Sequence, residues 1–388
     1  MKSIRASDSL IINVMLLSRF KFLLYVPVAF FSLVLAADAQ SGRVQPTPER
    51  EDDPVRVLTQ EVKVNVIAFD EDGKFVTDVK EADLVITEND ILHQASSVRR
   101  IPANVLIVMD TGGEMRQIKN LEQTRKVAKG IAAALRPEDS IAVLQYSDKA
   151  EIIAEWTDDR SQILNAIGKK SKFGRRSAFV EALNLAADFL SKNTLENKHL
   201  VLITDGTDSA GNRTAKSDAF RSLLSTDINV HVISYTRLES TDITPRTKII
   251  SNTPPPKAMP DEVAAQLPNG VRDNAQAPKI GPTINLDRSL LKRLKARKAD
   301  LEASEDALAE LADNTNGEIV LADSLEEMVD KTAVVAKMID SSYVLTYTPK
   351  IPLGEQGQPN TRNIEVTSKR PNLIVQAKRK LIVDTDSR

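Results

Sequence analysis

Three acids and one hydroxyl stand in this chain where they could act together. Asp110 closes the run Val105-Leu-Ile-Val-Met-Asp110 and is followed by Thr111-Gly-Gly-Glu114. A second run, His199-Leu-Val-Leu-Ile-Thr-Asp205, ends in an aspartate before Gly206. Between them the loop Phe173-Gly-Arg-Arg-Ser177 ends in a hydroxyl. Carboxylates at the place where a buried strand hands over to a helix are groups that could meet a ligand there. Brought together with no cation, the same acids would repel one another and favour a raised pKa. Each acid also has a plainer role: Asp110 as a helix cap, Glu114 as a first-turn charge, Asp205 as a turn residue. Those separate roles leave unexplained why two apolar runs both end in aspartate.

The elements that must position these residues follow from periodicity. Apolar runs of this length fit buried strands. Met115 to Leu135 reads as a helix with Met115, Ile118, Leu121, Ala128, Ile131 and Leu135 on one face. Strands over Ser140–Tyr146 and Ala150–Trp156 follow, then a helix over Asp159–Lys170 and another carrying Phe179, Leu183, Ala186 and Leu190. After the second aspartate come a helix near Ala219–Leu224 and a strand over Val230–Tyr235. Further on, a strand over Glu318–Ala322 precedes a helix over Leu325–Ile339. Such alternation implies an α/β fold: a three-layer, doubly wound, mostly parallel sheet with helices on both faces. Ligands of open α/β sheets bind at the carboxyl ends of the strands, where Asp110 and Asp205 are expected.

The flanks are β-like. Val62, Val64, Val66 and Ala68 alternate with polar residues, Asp70-Glu-Asp-Gly73 reads as a turn, and Leu84 and Ile86 mark a further strand. Tyr343, Leu345 and Tyr347 alternate near the other end, with more β over Ile364–Thr367 and Leu373–Val383. Neither piece can bury a core alone, so residues 55–101 and 343–384 are expected to form one small β-sandwich, with the α/β domain at 102–342 between them. Arg237 to about Asp300 holds eight of the 18 prolines and reads as a mostly disordered insertion. Its end, Arg288–Lys298, is a basic helical stretch with Leu290, Leu291 and Leu294. It is either a solvated helix packing its leucines on the domain, or a docking site for an acidic partner or membrane surface.

Composition narrows the function classes. With 52 basic and 54 acidic residues among 388, the chain has no basic stripe for nucleic acid. It has no cysteine, which excludes disulfides, thiolate zinc sites and a cysteine nucleophile. His93, His199 and His231 are far apart in sequence and read as separate structural residues rather than a metal cluster. At the N-terminus, Arg19 and Lys21 precede an apolar block, Phe22–Ala36, that ends in Ala37-Asp38-Ala39. This is the pattern of a secretory signal over residues 1–39, cut after Ala39 and followed by a polar leader at 40–54. Met15 would start a tidier signal, and an uncleaved anchor is the alternative. The product would be exported to the periplasm, cell surface or medium, with no membrane span after signal cleavage.

With two strands ending in Asp110 and Asp205 and a hydroxyl loop between them, the chain resembles the von Willebrand factor type A (VWA) domain over about Ala103–Ser342. The β flanks, with Tyr343-Val-Leu-Thr-Tyr-Thr-Pro349, resemble those of an exported bacterial VWFA-related subfamily. The resemblance implies a divalent cation at the sheet edge, a metal-ion-dependent adhesion site (MIDAS), completed by a partner's carboxylate. It maps the metal ligands onto Asp110, Ser177 in place of a threonine, and Asp205. Gly112 and Glu114 stand where the family has serines, so the site is degenerate. Gly112 offers no side-chain oxygen, and Glu114 adds a third acid that would shift preference from Mg²⁺ towards Ca²⁺ or Mn²⁺.

Two functions follow. The resemblance implies a non-enzymatic, adhesion-type module that binds a protein ligand, with that ligand's acidic side chain as one way in, around Asp110, Glu114, Lys149, Arg175, Ser177 and Asp205. The alternative is a metal-independent scaffold that binds through the insertion or the β-sandwich. A hydrolase is the remote third reading. Asp110-Thr-Gly112 matches one aspartic-protease triplet without a second, and no phosphate loop, nucleophile elbow or zinc-helix motif is present.

Overall fold

The computed structural model describes residues 61–113, 121–192, 195–209, 213–252, 265–276, 281–284, 286–353 and 361–382. The expected signal and leader, and Glu114 with the start of the helix after it, lie outside these residues.

The alternation of apolar and polar residues near the N-terminus produces β1 (Val62–Phe69), β2 (Leu84–Glu88), β3 (Ile91–His93) and β4 (Ser97–Arg99). In the turn after β1, Asp70 Oδ1 accepts from the amides of Asp72 and Lys74, and Gly73 takes the left-handed conformation that the turn requires. The α/β layers follow: β5 (Asn104–Asp110), α1 (Leu121–Ala134), β6 (Ser140–Tyr146), β7 (Ala150–Thr157), α2 (Arg160–Asn165), α3 (Phe179–Ser191), β8 (Lys198–Thr204), α4 (Arg213–Leu224) and β9 (Asn229–Ser234). Next are α5 (Thr236–Arg246), β10 (Ile250–Ser251), α6 (Asn269–Gln276), β11 (Thr283–Ile284) and α7 (Arg288–Asn314). The chain closes with β12 (Ile319–Leu321), α8 (Leu325–Asp330), α9 (Thr332–Asp340), β13 (Ser342–Tyr347), β14 (Thr361–Ser368), β15 (Ile374–Gln376) and β16 (Lys378–Ile382).

The central sheet runs β12-β9-β8-β5-β6-β7, parallel except for the antiparallel β6–β7 edge, as the alternating pattern predicts. Side chains along β5 point alternately to two cores. Val105, Ile107 and Met109 share one core with Val127 and Ile131 of α1 and with Val335 and Ile339 of α9. Leu106 and Val108 share the other with Phe179, Leu183 and Leu190 of α3 and with Leu308 and Leu311 of α7. The flanks form two four-stranded antiparallel sheets, β15-β1-β13-β4 and β16-β14-β2-β3, with a common core that includes Val64, Val66, Ile86, Leu345, Tyr347 and Val366.

Three features differ from the sequence expectations. The stretch from Arg237 to Asp300, expected to be mostly disordered, contains α5 and the first half of the 27-residue α7. Pro245 lies inside α5 and does not prevent packing: Ile243 of α5 is buried with Leu294 and Leu301 of α7. Residues 253–264, 277–280 and 285 of that stretch lie outside the described set. The helix expected over Leu325–Ile339 is broken at Lys331, beside the Thr332 hydroxyl, which donates to the Val329 carbonyl (2.7 Å).

The histidines differ most. His199 on β8 and His231 on β9 lie on neighbouring strands, with rings stacked 5.3 Å apart and Nδ1 of His199 3.0 Å from Nε2 of His231. His199 Nε2 is 2.9 Å from Asn197 Oδ1, which also accepts from Asn65 Nδ2 of β1 (3.1 Å). Asn316, just after α7, donates to the Asn65 carbonyl (2.6 Å). This polar seam joins the flanking sheets to the amino-terminal edge of the central sheet, opposite the edge that carries Asp110.

Candidate functional site

β5 and β8 are parallel neighbours, with Met109 level with Ile203. Asp110 therefore emerges beside Thr204, and Asp205 one residue beyond it. Both aspartates are buried, Asp110 with no exposed surface and Asp205 with 4%. The Tyr146 hydroxyl at the end of β6 lies 2.6 Å from Thr204 Oγ1. Burial first, then the facing Asp110 and Asp205 carboxylates, push its pKa well above the usual phenol value.

The loop after Asp110 is closed by its own backbone and by its neighbours. The Gly112 amide donates to Asp110 Oδ1 (2.9 Å), and the Thr111 amide and hydroxyl both donate to the Tyr146 carbonyl. Gly112 lies against the hydroxyl-bearing loop so closely that a β-carbon on it would meet the Arg176 carbonyl oxygen at 1.8 Å. The serine expected here in the family motif has no room.

Ser177 and Asp205 are brought to the same place through Thr207. Ser177 Oγ donates to the Thr207 carbonyl (2.8 Å), while the Thr207 amide and hydroxyl donate to Asp205 Oδ1 (2.9 and 2.7 Å). The Ser177 amide donates to Ser209 Oγ, and the Ser209 amide returns a bond to the Ser177 carbonyl. Gly206, in the left-handed conformation, lets this loop turn beneath Ser304 and Leu308 of α7.

The remaining oxygen of Asp205 is held by an arginine that the motif did not reveal. Arg297 of α7 donates through Nη2 to Asp205 Oδ2 (3.0 Å), through Nη1 to Thr207 Oγ1 (2.7 Å) and through Nε to Glu239 Oε1 of α5 (2.8 Å). Burial pushes the guanidinium pKa down, but the facing Asp205 and Glu239 carboxylates outweigh it, so the net shift is upward. Lys216 of α4 is a second cation nearby. It donates to the Gly206 carbonyl (2.7 Å) and Ser304 Oγ (3.1 Å) and lies over the Phe179 and Phe220 rings. Burial lowers its pKa, partly offset by Asp205, Asp208 and Asp300.

Among the described residues few side-chain oxygens are left for a divalent cation, and Glu114, the remaining expected ligand, lies outside them. An octahedral ion needs about six oxygens. Gly112 supplies none and admits no replacement, Asp205 has one oxygen on Thr207 and the other on Arg297, and Ser177 is bonded to Thr207. Among the described residues no group of three or more histidine and acidic side chains could hold a metal ion. What the arrangement can do is neutralise two buried acids with a fixed guanidinium and tie α5 and α7 to the sheet edge. The rim outside it carries Lys149, Lys172, Arg175 and Arg176, all exposed around the Ser177 loop, with Asp148 among them and Lys149 paired to Glu151 (3.1 Å).

The model of the von Willebrand factor type A domain matches residues 105–207. That segment runs from the second residue of β5 through Asp205 to Thr207. Among solved structures, the chain is similar to the conserved hypothetical protein BatB from Bacteroides thetaiotaomicron at 16% identity, covering 61% of this chain and 98% of that one, with a TM-score of 0.35. It is similar to a von Willebrand factor type A protein from Catenulispora acidiphila at 11% identity, covering 84% and 74%, with a TM-score of 0.38. It is also similar to the manganese-loaded TRAP protein of Plasmodium vivax at 10% identity, covering 76% and 98%, with a TM-score of 0.38. No curated protein matches the chain. Among the described residues no helix is long and apolar enough to cross a membrane.

Proposed function

Since the chain carries a von Willebrand factor type A domain, we propose that it is an exported, non-enzymatic protein-binding module whose sheet edge works without a bound cation. The observation that carries this reading is the Arg297–Asp205 ion pair, in which a side chain of the protein supplies the positive charge that the family takes from a metal. A guanidinium presents fixed, directional donors that match carboxylate geometry. It therefore organises the Asp205 and Ser177 loops permanently instead of waiting for an ion. A partner's acidic side chain would then be met by the exposed rim side chains of Lys149, Arg175 and Arg176 rather than by a metal. Export rests on the signal pattern ahead of Gln40.

Two measurements test the proposal. Calorimetric titration of the full chain with Mg²⁺, Mn²⁺ and Ca²⁺ is expected to give no saturable binding, and Glu114→Ser is expected to behave the same way. Capture of proteins from the exported fraction of the host is expected to survive chelator and to be lost in Lys149→Glu/Arg175→Glu. Capture that collapses in chelator and returns with Mg²⁺ would overturn the cation-free reading. Capture indifferent to the charge reversals would move the binding surface elsewhere.

A further inference from the structure

The segment between α5 and α7 leaves aliphatic side chains in solvent beside a concentrated positive charge. β10 and β11 form a two-stranded antiparallel ribbon in which Ile250 pairs with Ile284. Both are about 60% exposed (63% and 59%), as is Ile249 (61%), and Leu286, just past the ribbon, is 80% exposed. Lys248, in the turn after α5, is exposed as well. Isolated exposed aliphatics are ordinary on protein surfaces, but two on one small ribbon with two more flanking it are a feature to explain.

The helix that follows separates its residues by face. Leu290, Leu294, Arg297 and Leu301 recur at helical spacing, and they are the residues that pack on α5 and reach the aspartate edge. Arg288, Lys292 and Lys295 recur at the same spacing on the opposite side, and all three are exposed, as is Arg293. With Lys248 this makes five basic residues next to the ribbon. The nearest acid in sequence, Asp287, is used as the α7 cap, its Oδ1 accepting from the Ser289 and Leu290 amides.

We propose that the β10–β11 ribbon and the outer face of the first three turns of α7 form a docking surface for an anionic lipid bilayer. The chemistry divides as it does in interfacial segments: short aliphatic side chains enter the acyl boundary, and lysines and arginines meet the headgroup phosphates. Exposed aliphatic side chains beside five exposed basic residues combine the apolar tip and the positive charge that an anionic, fluid surface takes together. The opposite face of α7 stays fixed to the sheet edge, so docking leaves the Arg297 cluster intact.

The chain contains no cysteine, so a single one can report on the ribbon alone. Leu286→Cys in the full chain, labelled with a polarity-sensitive fluorophore, is mixed with vesicles of about one-third phosphatidylglycerol in phosphatidylcholine, or of phosphatidylcholine only. The expected result is a blue-shifted, brighter emission with the anionic vesicles alone. The same probe at Val334→Cys, on α9, is expected not to respond. Each basic residue near an anionic surface contributes on the order of 1 kcal/mol, so Arg288→Gln/Lys292→Gln/Lys295→Gln should lower the partition coefficient about a hundredfold. No response at residue 286, an equal response at 334, or a response unchanged in the triple variant would each overturn the proposal. A response to soluble poly-glutamate with none to vesicles would overturn it in favour of an acidic protein partner.

Discussion

The carbonyl oxygen of Arg176 occupies the space that a β-carbon on Gly112 would need, at a separation of 1.8 Å. The glycine is what allows the first and second loops of the sheet edge to touch. Gly112→Ser, the change that would restore the family's serine, is therefore expected to destabilise the protein by about 3 kcal/mol or more, because the obstructing atom is backbone and cannot rotate away. Denaturant melts would measure this. A Gly112→Ser protein as stable as the wild type would mean that the two loops separate easily.

Arg297 holds Asp205 and Glu239, which are otherwise two buried acids facing one another. Arg297→Met should cost about 3–5 kcal/mol, the usual result of stranding a buried charge. Arg297→Lys keeps the charge but loses the fork and should recover only part of that loss. If millimolar Mg²⁺ or Mn²⁺ raised the melting temperature of Arg297→Met but not of the wild type, the guanidinium and a cation would be shown to compete for one position.

Acid should loosen the seam under the central sheet. Burial lowers the pKa of His231 to about 4, and burial, the His231 ring and Arg136 together lower that of His199. Unfolded histidine titrates near 6.5, so between about pH 6.5 and 4 the unfolded chain holds more protons and stability falls as pH falls. His231 alone contributes on the order of 3 kcal/mol above pH 6.5 that is lost on the way to pH 4. Chemical melts of His231→Phe should show a shallower loss over that window, and an unchanged slope would remove His231 as the cause.

In the flanking sheets Arg362 of β14 donates to Glu88 of β2 at 2.7 Å, and both side chains are almost fully buried. Arg362→Met should cost about 3–5 kcal/mol, because it removes the guanidinium from Glu88, leaving only His93 Nε2 3.5 Å away, and from the Ile351 and Pro352 carbonyls. The double change Arg362→Met/Glu88→Leu should cost much less, because an apolar pair needs no partner. Additive losses in the double-mutant cycle would show that the two residues act independently.

The positions of Asp110 and Asp205 at one edge were legible because two buried parallel strands of similar length must end side by side. Ser177 was legible only through the resemblance to the von Willebrand factor type A domain, which sets a hydroxyl in the loop between them. Arg297 was hidden 92 residues from Asp205, inside a run of basic residues that invited a reading by composition. The available signal was positional: Arg297 falls in the Leu290–Leu294–Leu301 stripe, where an arginine must enter the protein with its charge met. The His199–His231 contact was hidden for a related reason, since strand adjacency, not chain distance, decides which side chains meet. Over residues 237–300 the proline count gave no sign of α5, whose helix even contains Pro245, or of the leucine stripe of α7, which packs on it.

The route of the chain has a practical consequence. Strand β4, just before the α/β layers, and strand β13, just after them, are hydrogen-bonded neighbours, with Arg99 paired to Val344. Everything from Asn104 to Asp340 is thus a single excursion out of a continuous sheet and back to its starting point. Such an excursion can be excised and grafted between the adjacent strands of an unrelated host, or exchanged for another, without rethreading what remains. A pull applied at the two sides of that junction would shear β4 from β13 before it reached the aspartates at the far edge.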